Sequence, residues 1–180
     1  MVVALIGAGG ALGGCGDKFD SYATARAAWA RTKETCPDYH YTIVTSSFSG
    51  YHTTTTVDIA GGQPVGRQFS AGYVDGATGV FTVTSTWAET AGEIGVHQMG
   101  APAETMDQLY DDCRREVLGK DRSTNMVYFH YDERGVLMSC AYTPVGCQDD
   151  CVIGVGISDF ACGAAVPDAD AGGPHSGDAL

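Results

Sequence analysis

The chain has 180 residues, 44% of them hydrophobic, and a formal net charge of −12. This length allows one domain with a substantial core, and this composition excludes both a wholly disordered chain and a multi-span membrane protein. Between Lys33 and Arg114 the only Lys or Arg is Arg67, so no nucleic-acid partner is expected, and attachment to an anionic membrane surface would need a covalent or hydrophobic anchor rather than a basic patch.

Residues 2–12 read VVALIGAGGAL, an uncharged apolar run too short to cross a bilayer as a helix, and Gly13, Gly14 and Cys15 follow. Leu12-Gly13-Gly14-Cys15 resembles the lipobox of bacterial lipoproteins. The resemblance implies a signal peptide over residues 1–14, acylation of the Cys15 thiol, cleavage before it, and a membrane anchor in which each buried methylene contributes about 0.8 kcal/mol. No Lys or Arg precedes the run, which departs from the usual basic start of a signal peptide. Gly16 stands where an aspartate would favour inner-membrane retention, so the expected location is the cell envelope, periplasmic or outer-membrane. The same run also resembles the first strand and glycine loop of a dinucleotide-binding fold. That fingerprint needs a glycine where Leu12 stands, and the segments that follow do not alternate strand with helix.

Residues 17–34 predict a first helix with Phe19, Tyr22, Ala25 and Trp29 on one apolar face, stopped by Pro37. Residues 39–48 alternate through Tyr39, Tyr41 and Ile43, and residues 52–59 are threonine-rich and end in Val57 and Ile59, so both predict strands. Gly61-Gly62 provides a turn into a third strand over residues 65–69. Residues 70–79 read as a glycine-rich loop, and residues 80–87 as a further strand or an ordered excursion. Thr105 with Gln108 forms a capping box for a second helix carrying Met106, Leu109, Tyr110, Cys113 and Val117 on one stripe, ended by Gly119. Residues 126–131, 136–142 and 151–160 predict three more strands, the first two joined in a hairpin through Asp132-Glu133-Arg134-Gly135. Beyond Gly163 little can be buried, and residues 164–180 are expected to be a disordered tail.

Apart from Cys15 there are six cysteines, Cys36, Cys113, Cys140, Cys147, Cys151 and Cys162. An even number in an exported chain predicts three disulfides. Only Cys147 with Cys151 is indicated locally, and a tie between Cys36 and Cys113 is the favoured longer pairing. A zinc site built from Cys140, Cys147, Cys151 and Cys162 is the alternative, with spacings wider than those of zinc knuckles. His40, His52, His97 and His130 are scattered, His175 lies in the tail, and only His40 and His130 are candidates to meet across the sheet. Asp111-Asp112 and Asp149-Asp150 are adjacent pairs whose side chains diverge, so a solvated helix face and a turn are the expected roles. No nucleophile motif is present.

The order of these marks resembles an uncharacterised bacterial family of secreted and lipid-anchored proteins, known as a domain of unknown function. The matching residues are Trp29, Tyr39-x-Tyr41, Gly61-Gly62, Thr105-x-Asp107-x-Leu109-Tyr110, Tyr131-Asp132-x-x-Gly135, Asp149-Asp150 and Ile157-x-Asp159-Phe160, spread over residues 20–160. Such proteins often carry a proline where this chain has Leu137, and the cysteine-rich end is an elaboration. The resemblance implies export and an α+β domain.

The expectation is therefore one disulfide-bonded α+β domain over residues 15–163, an antiparallel sheet with two main helices packed on one face. No catalytic set, metal or cofactor is expected. The first functional expectation is a non-catalytic binding or structural module of the envelope, held to the membrane by lipid at Cys15, with an envelope protein or polymer as partner. One alternative is an inhibitor-like partner of a secreted enzyme, making contact through residues 70–79 and 143–150. Another is a hydrolase with a site across strands, marked by a pocket gathering His and carboxylates with shifted pKa values.

Overall fold

The computed structural model describes residues 18–163. The expected lipobox with Cys15, the expected signal peptide 1–14 and the expected tail 164–180 lie outside the described residues. Among the described residues no helix is long and apolar enough to cross a membrane.

Helix α1, Lys18–Thr35, buries Tyr22, Ala25, Ala28 and Trp29. Two runs of strands follow. The first is β1 (Tyr39–Ser46), β2 (Tyr51–Ala60), β3 (Gln63–Val74) and β4 (Phe81–Thr90). Helix α2 (Met106–Asp112) comes next, continued by a π-helical turn at Cys113–Val117, and the second run is β5 (Asn125–Tyr131), β6 (Leu137–Pro144) and β7 (Ile153–Cys162). All neighbours are antiparallel in one seven-stranded sheet of order β4-β3-β2-β1-β7-β6-β5. The first and last strands therefore meet in the interior of the sheet, and β4 and β5 form its edges.

The alternation read in β1 puts Tyr39, Tyr41 and Ile43 level with Ile59, Val57 and Thr55 of β2, and all six are buried. Leu137 and Cys140 of β6 and Ile157 and Phe160 of β7 join the same core. Contacts from both helices fall on this face. The Trp29 ring meets Tyr39 at 5.3 Å and Phe160 at 5.9 Å, both edge-on. The Met106 backbone N–H donates to the Tyr39 hydroxyl at 2.8 Å. The helices also meet each other, through the Tyr22 hydroxyl donating to the Tyr110 carbonyl at 3.2 Å and through Arg26 and Lys33 on the Asp107 carboxylate. Each large apolar side chain buried here contributes about 1.5–3 kcal/mol.

Two expectations are corrected. Residues 70–79 are only partly loop, because β3 continues to Val74. The turn is made instead by Asp75, whose carboxylate accepts the backbone N–H groups of Ala77 and Thr78 and the Thr78 hydroxyl, bonds that hold its pKa below the usual range. Residues 81–90 are then a full strand. The second correction concerns the disulfides, which join Cys36 to Cys162, Cys113 to Cys140, and Cys147 to Cys151. The expected Cys36–Cys113 tie is not formed because β7 runs beside β1 and sets Cys162 opposite Tyr39, within reach of the chain leaving α1. Cys113, at the end of α2, lies over β6 and reaches Cys140. With all six thiols paired, the zinc alternative has no ligands left. Among the described residues no cluster of His, Cys, Asp and Glu could hold a metal ion.

Candidate functional site

β7 changes partner along its length. From Cys162 back to Ile157 it pairs with β1, and from Gly156 back to Ile153 it pairs with β6. A bulge opposite Thr42 and Ile43 marks the change. Gly154 makes the second half possible: its φ is +138°, and a Cβ there would stand 2.2 Å from the Cys140 carbonyl oxygen. β1 meanwhile stays on β2 to Ser46. The two central strands thus part beyond Ile43, and a cleft opens between them.

On the helix side the cleft holds a cavity of ≈ 640 Å³, floored by Ile43, Thr45, Thr53, Gly154 and Val155. Leu109, Val117 and Pro102 line it with apolar surface, and Glu104, Asp112 and Glu116 line it with carboxyl groups. On the opposite side a second cavity of ≈ 440 Å³ shares Ile43, Thr45, Gly154 and Val155 and adds Val44, Val152, Asp149 and Asp150.

The acidic wall is set by the start of α2 and its π-helical extension. Glu104 directly precedes the cap Thr105, whose side chain accepts from Gln108, and its carbonyl accepts the Tyr41 hydroxyl at 2.6 Å. Asp112 and Glu116 are four apart and are bridged by Arg115. Burial first, and then the charge and a shared hydrogen bond of Asp112, push the Glu104 carboxyl up to about 7, with Glu116 adding to the effect and Arg115 opposing it. Near neutral pH the Glu104 carboxyl is thus only part-ionised and can share a hydrogen bond with Asp112, while Arg115 pairs with Asp112 and Glu116.

Both walls are fixed. The Cys113–Cys140 disulfide lies at the base of the cavity and ties the helical wall to the floor. The wall at 100–104 belongs to the segment that follows β4, and a buried ion pair anchors that segment. Arg67 donates twice to the Glu89 carboxylate at 2.9 Å, and its remaining N–H groups reach the carbonyls of His97 at 2.6 Å and Ala101 at 3.2 Å. Burial alone would raise the Glu89 carboxyl, but Arg67 and the backbone N–H groups of His97 and Gly95 outweigh it and hold it at about 2. Trp87 stacks on His97 at 4.5 Å and lies under the Arg67 guanidinium at 4.6 Å. Thr55 accepts the Ala101 N–H at 3.0 Å.

The remaining residues singled out from the sequence are dispersed. His40 and His130 do not meet, because β7 and β6 lie between their strands. His40 contacts the Gly163 carbonyl, His52 contacts the Ser46 hydroxyl, and His97 serves the ion-pair anchor. Asp111 and Asp112 diverge: Asp111 lies 3.8 Å from Arg26, and Asp112 faces Glu104. Asp150 accepts the Ser47 hydroxyl and the Phe48 N–H, so the Cys147–Cys151 loop braces the β1–β2 turn. The sequence reading did not single out Glu104 or Glu116. The four-residue spacing of Asp112 and Glu116 on one helical face was the available signal. Comparison of the chain with protein-family models, with curated proteins and with solved structures finds no match.

Proposed function

We propose that this chain is an exported binding module of the bacterial cell envelope, lipid-anchored at Cys15, that holds a cationic ligand in the cleft between β1 and β7. The observation that carries the proposal is the cavity of ≈ 640 Å³ with three carboxyl groups on one wall. Its walls are fixed by a disulfide and a buried ion pair. A concave, largely apolar site with a few convergent polar groups is the ordinary form of a ligand site, and fixed walls lower the entropy cost of binding. The two helices form the layer over one face of the sheet, and the cleft is the gap at the end of that layer. Three disulfides suit an oxidising compartment. The membership implied by Trp29, Tyr39-x-Tyr41 and the other matching marks belongs to the same proposal.

Cadaverine, a diamine without other functional groups, is the probe for the site. Titrated into the oxidised chain, it is expected to shift the amide NMR signals of Thr45, Thr53 and Gly154, and Asp112→Asn is expected to weaken binding about tenfold. Shifts scattered over the surface, or binding indifferent to Asp112→Asn, would overturn the assignment. For the anchor, Cys15→Ser is expected to abolish labelling by a palmitate analogue in bacterial cells; undiminished labelling would refute lipidation at that thiol.

Two alternatives each have one observation in their favour. Phe48 is 88% exposed on a turn braced by Asp150, the form of an aromatic side chain that enters an enzyme pocket. Inhibition of a secreted hydrolase that Phe48→Ala removes would favour an inhibitor. A carboxyl pushed up to about 7, as at Glu104, has the form of a general acid. Turnover of a substrate that Glu104→Gln abolishes would favour a hydrolase.

A further inference from the structure

The seam between β1 and β7 presents two strand edges to one gap. Residues 44–46 of β1 are paired with β2 on one side, while the register of β1 with β7 stops at Ile43 and Ile157. Residues 153–156 of β7 pair with β6 and, among the described residues, with no other strand. Backbone N–H and C=O groups along such edges form ready hydrogen-bonding rows, and a strand edge is the ordinary template for an added strand. Ile43, Thr45, Gly154 and Val155 line the cavities on both sides of the seam.

We infer that this seam receives an extended peptide bearing basic side chains, which enters as an additional strand between β1 and β7. The inference rests on the cleft being the ligand site and names the class of ligand. Side chains of an extended chain alternate between faces, so successive residues would enter opposite cavities. One cavity is lined by Glu104, Asp112 and Glu116, the last two paired with Arg115, and the other by Asp149 and Asp150, of which Asp150 accepts from Ser47 and Phe48, so that five carboxyl groups face one guanidinium. This charge selects a basic occupant. A second copy of the chain is disfavoured on the same ground, since each copy carries a formal charge of −12. The edges match about four residues of peptide, roughly 13 Å. At the rim, Phe48, Val152 and Ile153 are 88%, 69% and 49% exposed, which favours apolar residues between or beside the basic ones.

The test uses the full oxidised chain and a blocked heptapeptide of alternating valine and lysine. Two controls are the same peptide with alternate backbone nitrogens methylated and a valine–glutamate counterpart. The parent peptide is expected to bind and to slow amide hydrogen exchange at residues 44–46 and 153–156 about tenfold or more. Methylation and the glutamate exchange are each expected to cost about tenfold or more in affinity, because they remove strand pairing and charge matching respectively. Equal binding of the methylated peptide, or protection confined to the outer edges β4 and β5, would overturn the inference. Cadaverine distinguishes the two levels. If it occupies the cleft while no peptide does, strand addition fails and the acidic site stands. If neither occupies it, both fail.

Discussion

Glu104 shows how position, rather than residue type, sets chemistry. An acid beside a helix N-terminus is ordinarily favoured in its charged form. Here burial and the facing Asp112 reverse that, and the carboxyl is pushed up to about 7. Because the folded-state pKa lies above the unfolded value, the fold binds this proton more tightly. The stability it contributes is complete below the ordinary Glu value of 4.5 and is lost as pH rises through about 7. Glu104→Gln should therefore make the chain more stable than its parent at about pH 8, by the order of 1 kcal/mol once solvent screening at a half-buried group is allowed for, and should bring the two level near pH 4. Urea unfolding at the two pH values checks this; a difference independent of pH would contradict it. Glu89 has the opposite sign. Held at about 2, it contributes stability above its ordinary value that is lost as pH falls toward 2. Arg67, its partner, was visible in the sequence as the only Lys or Arg between Lys33 and Arg114. That it is buried was not visible, because a lone cation in an acidic stretch reads equally well as a surface residue.

At the scale of elements, what is encoded over a few residues was legible. The Thr105–Gln108 capping box forms as read, and so does the hairpin through residues 132–135. Those signals are local hydrogen bonds and turn geometry, which the chain carries within four residues of itself. Gly135 goes further than its turn requires. Its φ is +76°, and a Cβ there would stand 2.2 Å from the Trp29 backbone nitrogen, so the hairpin rests directly on α1. The Thr32 hydroxyl of α1 secures the contact by donating to the Arg134 carbonyl, and the Tyr110 hydroxyl of α2 donates to the Gly135 carbonyl. Gly135→Ala combines an unfavourable φ with a steric clash against a helix backbone and should cost about 2–4 kcal/mol in chemical denaturation. A cost under about 0.5 kcal/mol would mean that α1 and the hairpin are not in contact. The extent of β3 was not legible, because the glycines of residues 70–79 mask a strand that Asp75 ends.

Across the whole molecule, two antiparallel meanders are joined where the first strand meets the last, and the disulfide pattern follows from that joint. Alternation in a strand reveals its buried face but not its neighbours, so neither the partnership of β1 with β7 nor the Cys36–Cys162 link could be read from the sequence. The cleft was hidden for the same reason, since it exists only because β7 changes partner. Closing a loop of 126 residues, the Cys36–Cys162 bond should stabilise the fold by about 5 kcal/mol on the chain-entropy account. Replacing both cysteines with serine should therefore cost far more than the same exchange at Cys147 and Cys151, four residues apart. Equal losses in thermal unfolding would show that the long link contributes little. The central claim, that the parting of β1 and β7 makes a site for cationic ligands, is tested most directly by intermolecular NOEs from cadaverine bound to the oxidised chain. The account predicts NOEs to the methyl groups of Leu109, Val117 and Val155. NOEs to Val80 and Val83 at the sheet edge instead, or none to the cleft at saturating cadaverine, would contradict it.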